Sequence, residues 1–364
     1  MEEIEVDLGQ RSYYITIEEG SLKDAGGWLL EISPSNDFVV ITDETVDDLY
    51  QKELSRSLDE AGCRYDRLVI PPGEKSKNLS TAGELYERLG ELNLDRDSTL
   101  VAFGGGVVGD LGGFLASTFL RGLSLVQIPT TLLAQVDSSV GGKTAINLSA
   151  GKNMVGTFYQ PQGVLIDPLV LTTLADPDVR SGLGEVLKYG LIWDEKLFHT
   201  VVSDLGSFYT LDNASRVERV IRRCCEIKAE IVRLDERDRG LRQILNFGHT
   251  VGHGVEAGSG YGYMRHGEAV LWGMIGEAWI SRDKGGLSEA ALEEIVASLK
   301  EVNAPPLPGD LTGGELLKYV KRDKKNRGGR INSVLLEGIG GDAVVNTLEE
   351  EEIISALEFL EGLR

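Results

Sequence analysis

Hydrophobic positions in the first 170 residues fall into short runs separated by charged segments of helical period. Residues 4–8 and 13–17 alternate and predict two strands joined by a Gly9-Gln10 turn. Phe38 to Asp43 is a continuous apolar run ending in a carboxylate. That is the form of a buried parallel strand meeting a ligand at its carboxyl end. A helix over 46–61, an apolar run at 67–70, a Pro-Gly loop at 71–77 and a helix ending near Leu92 follow. Residues 99–103 then form a strand running into Gly104, and Gly163 to Asp167 forms another. Strand and helix in alternation predict an α/β sheet. From Leu171 the period changes. Helices are predicted from Asp176 through Glu185 and Lys188, and over 217–234, 269–282, 289–301 and 315–321, with only 332–336 and 343–346 extended. The acidic tail at 349–363 reads as a solvated amphipathic helix. The fold class is therefore an α/β, Rossmann-like parallel-sheet domain over 1–170, followed by a mostly α-helical domain over 171–364.

The strand at 99–103 leads into glycines at 104, 106 and 109, a Gly-x-Gly-x-x-Gly spacing in front of an apolar helix. Glycine there lets backbone N–H groups approach a pyrophosphate. The acidic residue of an ordinary dinucleotide fold, about 20 positions on, is replaced by Arg121 and by Thr130-Thr131. The reading is a nucleotide-binding sheet that is not the common dehydrogenase version. Gly142-Lys143-Thr144 mimics the end of a phosphate loop, but Asp137 stands where that loop needs glycine, so an NTPase is excluded.

Composition narrows the function further. The chain has 364 residues, 41% hydrophobic and 26% charged, with a net charge of -21. That charge argues against nucleic acid and anionic membranes as partners. The first residues lack the basic and apolar regions of a signal peptide, and no apolar run is long enough to span a bilayer. Cys63, Cys224 and Cys225 form no Cys-x-x-Cys pair, which fits reduced thiols in a cytoplasm.

Two local anomalies carry the chemistry. Three of the four histidines, His249, His253 and His266, lie within the 24 residues from Leu245 to Glu268. His249 and His253, four apart, share one helix face, and imidazole is both a common metal ligand and a proton carrier near neutral pH. The second anomaly is an interval between Asp137 and Asp167 without one carboxylate, in a chain with 58 of them. Lys143 and Lys152-Asn153 lie inside it, which suggests a local anion pocket. His249-Thr-Val-Gly-His253 lacks the glutamate of a zinc protease. Together these features indicate a metal- and nucleotide-dependent enzyme acting on a multiply anionic small molecule.

Longer stretches are more specific. Pro72-Gly-Glu-Lys-Ser-Lys77, Gly104 to Phe114, Gln127 to Thr144 and Gly151 to Pro161 resemble the 3-dehydroquinate synthases, a branch of the sugar-phosphate cyclases. So do Glu185 to Gly190, Leu245 to His253, His266-Gly-Glu268 and Arg322 to Asn326. The resemblance implies a phosphate-eliminating carbon–oxygen lyase of the shikimate pathway, working with NAD and one divalent metal, zinc or else cobalt, as a homodimer. Its substrate would be 3-deoxy-D-arabino-heptulosonate 7-phosphate and its product 3-dehydroquinate. The alternatives are sister cyclases acting on sedoheptulose 7-phosphate or glucose 6-phosphate, and a metal-dependent polyol dehydrogenase.

Carried over by position, the resemblance implies Glu185, His249 and His266 as metal ligands, which leaves His253 as a nearby acid/base or orienting group. It implies Asp43, Thr45, Glu74, Lys77, Gly105, Gly106, Asp110, Thr130 and Thr131 as cofactor contacts. Arg121, Lys152, Asn153 and Lys324 would meet phosphate and substrate. Asp137, Lys143, Lys188, Lys228, Asp238, Arg242 and Asn246 complete the implied catalytic and substrate set. The planar two-pronged guanidinium of Arg242 suits a carboxylate. Two positions depart from the family pattern: Thr45 stands where Asn is usual, and Asp238 where Glu is usual.

Overall fold

The structure is a computed structural model and describes residues 2–260, 262–324 and 331–363. The chain divides into two compact units: residues up to Leu174 together with Leu211–Arg237, and Ala175–Thr210 together with the residues from Asp238 on.

The first unit holds β1 (Glu2–Val6), β2 (Tyr13–Ile17), α1 (Ala25–Ile32), β3 (Asp37–Asp43), α2 (Glu44–Ala61), β4 (Arg64–Ile70) and α3 (Leu79–Glu91). It continues with β5 (Thr99–Gly104), α4 (Gly106–Thr118), β6 (Ser124–Pro129), β7 (Lys143–Leu148), β8 (Gly151–Phe158) and β9 (Gly163–Ile166). Seven strands form one sheet in the order β1-β2-β9-β6-β5-β3-β4. All neighbours pair in parallel except β1 with β2. The period of two along a strand explains its two covered faces. On β3, Val39 and Ile41 pack with α3 and α4, while Phe38 and Val40 pack with α1 and α2. β5 repeats this, with Leu100 and Ala102 on one face and Val101 and Phe103 on the other.

The acid-free interval becomes the antiparallel hairpin β7–β8, which alternation alone did not announce. Most of its residues are exposed or half-buried, while Thr144 and Ile146 of β7 are buried and Ile146 joins the core beneath.

Next along the chain are α5 (Asp176–Ile192), α6 (Glu195–Val202) and the single turn α7 (Ser207–Thr210), all of the second unit. Helix α8 (Ala214–Leu234) returns to the first unit. The sequence reading put it in the 171–364 domain, because an amphipathic stripe does not say which core it covers. There Cys225 Sγ contacts the Gln135 carbonyl at 3.3 Å, and Lys228 lies one turn further on.

The second unit then has α9 (His249–Gly258), α10 (His266–Ile280), α11 (Glu289–Glu301) and α12 (Gly313–Lys324). The antiparallel hairpin β10 (Ile331–Leu336) and β11 (Ala343–Leu348) and α13 (Glu350–Glu361) complete it. The tail is more than a solvated helix. Ile353, Ala356, Leu357 and Leu360 of α13 are buried, and Phe359 stacks on Trp279 of α10 with ring centroids 4.0 Å apart. Among the described residues no helix is long and apolar enough to cross a membrane.

Candidate functional site

In the second unit α5, α9 and α10 build a cradle of histidines around a buried carboxylate. Glycine makes it possible. A Cβ on Gly267 would lie 1.8 Å from the Ser181 carbonyl oxygen, and one on Gly184 would lie 2.4 Å from the Gly267 carbonyl oxygen. Helices α5 and α10 therefore touch backbone to backbone, bringing Glu185 beside His266. Glu268 fixes the start of α10: one oxygen accepts from the Arg265 amide at 2.8 Å, the other from Arg180 Nε of α5 at 2.7 Å. Ser181 Oγ accepts from the Gly267 amide at 3.1 Å.

Glu185 is 1% exposed, and its Oε1 stands 3.6 Å from Nε2 of both His249 and His266. Its Oε2 pairs with Nζ of Lys188, one helical turn along and equally buried. His249 donates through Nδ1 to the Phe247 carbonyl, 3.1 Å away. A carbonyl can only accept, so Nδ1 carries the proton and Nε2 keeps its lone pair. His253 completes a ring triangle, with centroids 5.4 Å from His249 and 5.7 Å from His266. One nitrogen from each of the three histidines falls within a 4.8 Å cluster.

Electrostatics separate the two ligand-type histidines. Burial pushes the His249 pKa well below its ordinary value, against the opposing pull of Glu185. Burial acts on His266 in the same direction, but bonding to Glu185 and Glu256 overrides it and raises the pKa to about 9. Glu256 Oε2 lies 3.6 Å from His266 Nδ1.

Arg242, on the 3-10 turn Leu241–Asn246, is 2% exposed, and Asn246 ends that turn half-buried. Asp238 adopts a left-handed backbone with φ 56°. Lys324 closes α12; its side chain lies outside the described residues.

The first unit gathers a different set at the carboxyl ends of its strands. Asp43 ends β3 and caps α2, its Oδ1 accepting from the amides of Thr45 at 2.9 Å and Val46 at 3.2 Å. Gly105 is the N-cap of α4 and has no side chain to cap it. Beside that helix start the Thr130 amide bonds the Gly104 carbonyl at 3.0 Å. Its Oγ1 is buried and makes no hydrogen bond among the described residues. Thr131 Oγ1 accepts from the Ala134 amide at 3.2 Å. A Cβ on Gly105 would meet Thr131 Cγ2 at 3.0 Å, and one on Gly106 would meet Ser138 Oγ at 3.1 Å, so both positions favour glycine.

Lys77, 4% exposed, ties this region to the β7–β8 hairpin. Its Nζ pairs with Asp110 of α4 and donates to Asn153 Oδ1 at 2.6 Å. Burial raises the Asp110 pKa against the pull of Lys77. Glu74 Oε1 accepts from Asn147 Nδ2 at 2.7 Å. Asn153 takes a left-handed φ of 54°, which asparagine tolerates, and its amide bonds Asn147 Oδ1 at 2.8 Å. Asp137 lies in a five-residue π-turn, Ala134–Ser138, and receives Lys228 Nζ at 2.8 Å on Oδ1 and 2.5 Å on its carbonyl. Thr45, Arg121 and Lys143 are exposed and Lys152 is half-buried.

The sequence-derived residues thus assemble into two groups, one in each unit. Sequence reading missed Glu256 and Glu277 and gave no role to Glu268, which it met only inside His266-Gly-Glu268; all three are buried glutamates. A signal existed for Glu256, three residues after His253 on one helix; nothing local marked Glu277.

The chain matches the family models described as 3-dehydroquinate synthase N-terminal, over residues 67–181, and 3-dehydroquinate synthase C-terminal, over residues 182–326. It is 46% identical over 359 residues to the 3-dehydroquinate synthase of Pelobacter propionicus, covering 98% of this chain and 100% of that one. Among solved structures it resembles ValA, a 2-epi-5-epi-valiolone synthase from Streptomyces hygroscopicus subsp. jinggangensis with NAD+ and Zn2+ bound. The TM-score is 0.90 at 28% identity, covering 98% of this chain and 99% of that one. A 2-deoxy-scyllo-inosose synthase complexed with carbaglucose-6-phosphate, NAD+ and Co2+ gives a TM-score of 0.89 at 26% identity, with the same coverage.

Proposed function

The chain belongs to the 3-dehydroquinate synthase family, and on that premise we propose how its residues divide the reaction. The reaction takes 3-deoxy-D-arabino-heptulosonate 7-phosphate to 3-dehydroquinate and inorganic phosphate. A hydroxyl is oxidised, phosphate is eliminated, the ketone is reduced, the ring opens, and an intramolecular aldol step closes the carbocycle. The order follows from acidity, since a transient ketone acidifies the neighbouring C–H and makes loss of phosphate feasible. When bound, NAD would supply the hydride acceptor and later donor, and a divalent metal, zinc or cobalt, would polarise the carbinol oxygen.

Glu185, His249 and His266 hold the metal in this reading. The observation that carries it is the single Glu185 oxygen 3.6 Å from both Nε2 atoms. These two separations let the carboxylate and both imidazoles converge on one small cation, which they would hold if it were bound. Two imidazoles and a carboxylate suit zinc or cobalt better than the hard cations. His253 acts beside them as an acid/base or orienting group. Lys188 pairs with Glu185 and so sets a positive charge beside that buried carboxylate.

Arg242 and Asn246 take the substrate carboxylate end, while Arg121, Lys152, Asn153 and Lys324 take the phosphate. Lys143, Asp137, Lys228 and Asp238 line the remaining substrate positions; the Asp137–Lys228 pair holds one charge of each sign ready for hydroxyl groups. Asp43, Thr45, Glu74, Lys77, Gly105, Gly106, Asp110, Thr130 and Thr131 receive NAD. The uncapped start of α4 beside the buried Thr130 hydroxyl supports a pyrophosphate there. A homodimer in the cytoplasm, with Cys63, Cys224 and Cys225 reduced, belongs to the same reading.

The test is phosphate release from the heptulosonate phosphate with zinc and substoichiometric NAD, followed at the same time for NADH absorbance. Phosphate and 3-dehydroquinate without accumulating NADH are expected. A folded, metal-loaded sample that releases no phosphate, yet turns over sedoheptulose 7-phosphate, overturns the assignment.

A further inference from the structure

We propose that Glu277 is a positioning residue for the metal centre, acting on it through the helix that carries His249. The inference rests on the ligand reading above. Glu277 lies on α10 and is 0% exposed. Its Oε2 accepts from the Gly248 amide at 2.9 Å and its Oε1 from the Val251 amide at 3.0 Å. Those amides belong to the first turn of α9, whose first residue is His249. The N-cap of α9 is Gly248, with φ 79° and no side chain to cap the exposed donors.

A helix normally finds its cap in the residue at its own start. Here the cap comes from a carboxylate on the neighbouring helix, 29 residues along the chain from Gly248. A buried glutamate is costly unless its oxygens are satisfied, and an anion at a helix N-terminus is stabilised by the macrodipole as well as by the two bonds. The interaction therefore fixes the α9 start in direction and in depth.

The fit around it leaves no slack. A Cβ on Gly273 would lie 1.9 Å from the Gly248 carbonyl oxygen, and one on Gly248 would lie 2.4 Å from Met274 Cγ. So α10 presents His266 at its own start and, three turns on, holds the turn that aims His249. One helix supplies one ligand and sets the other. Glu277 lies outside the ligand set proposed above; its effect passes through the backbone of Gly248 and Val251 to the His249 ring, whose Nδ1 is in turn set by Phe247. Groups that orient metal ligands typically change affinity about 10- to 100-fold when altered.

Glu277→Gln keeps the volume but faces one amide with an NH2 group, and Glu277→Asp keeps the charge with a shorter reach. Zinc affinity is measured by chelator competition on folded, metal-free protein, alongside the visible d–d spectrum of the cobalt form. The wild type should bind one zinc, and His249→Ala should lose it; if the wild type binds none, the ligand reading fails first. Given wild-type binding, Glu277→Gln should weaken zinc about 10- to 100-fold and move the cobalt bands, and Glu277→Asp should recover part of both. Unchanged zinc affinity and unchanged cobalt bands in folded Glu277→Gln, even with lower thermal stability, would reduce Glu277 to a structural cap and overturn the proposal. If Glu277→Gln does not fold, Glu277→Asp alone decides, with wild-type affinity and bands again the contrary result.

Discussion

The two units hold their candidate ligand-binding groups in place by different means. In the first, candidate groups such as Asp43 and Gly105 sit at strand ends and are secured by near neighbours in sequence, while Lys77 and Asp137 are paired from further along the chain by Asp110 and Lys228. Asp43 caps the helix that begins one residue later, and the Gly105 turn follows directly from β5. In the second, the functional groups are buried in helices and secured from far along the chain. Glu185 meets His266 because Gly184 and Gly267 remove side chains between α5 and α10, and α9 is capped from α10. A strand-end site is fixed by the sheet, whereas a helix-bundle site is fixed by its own packing. Changes to single side chains should therefore be far more damaging in the second unit.

That contrast can be broken at its strongest point with Glu185→Ala. The substitution leaves the Lys188 ammonium, 2% exposed, without its carboxylate. Loss of one partner from a buried pair costs about 3–5 kcal/mol, to be read from denaturant unfolding of the metal-free protein. Adding Lys188→Met should return much of that loss; a Glu185→Ala protein as stable as wild type would remove the distinction between the units.

A pH experiment sharpens it from the first unit. Burial pushes the Cys225 thiol from 9.0 up to about 12, against the pull of Lys228. The folded state thus favours the protonated thiol. Its stabilising contribution is present in full below pH 9 and is lost as pH rises through 12. At pH 10 the loss is about 1.4 kcal/mol, one pKa unit's worth, and the pH slope of stability between 9 and 11 should flatten in Cys225→Ala. An unaltered slope would mean the thiol ionises in the folded protein as it does in the unfolded chain.

The smallest effect is expected at the strand-end site. Asp43→Ala removes two hydrogen bonds at the α2 N-terminus and should cost about 1 kcal/mol, measured by thermal unfolding without NAD. A loss as large as that of Glu185→Ala would contradict the contrast from the other side.

The same division governs what could be read from sequence. Alternation and apolar runs located the strands from β1 to β5 and β9, because each buried strand declares itself over a few residues; β6 was not among them. The clustered histidines located the cradle for the same reason. Helical spacing alone paired His249 with His253, since it sees only neighbours one turn apart. Glu185 lies 64 residues before His249 in the chain and entered through the family resemblance, as no local pattern joins the two. Glu277, in Ile275-Gly-Glu-Ala-Trp279, looks like a surface charge until α9 is laid beside it. Helix α8 carries an apolar stripe that fits either core, and only the Cys225 and Lys228 contacts show which it joins. The β7–β8 hairpin escaped because its residues are mostly polar or small, and its pairing is set by the backbone.

The central claim is that Glu185, and not His253, completes the metal site with His249 and His266. Zinc titration of Glu185→Gln and His253→Ala by chelator competition tests it directly, each protein first shown to be folded by circular dichroism. The account predicts that His253→Ala binds zinc as the wild type does while turnover falls, and that Glu185→Gln loses zinc. Zinc retained by Glu185→Gln and lost by His253→Ala would contradict it, and would assign the centre to the three histidines alone.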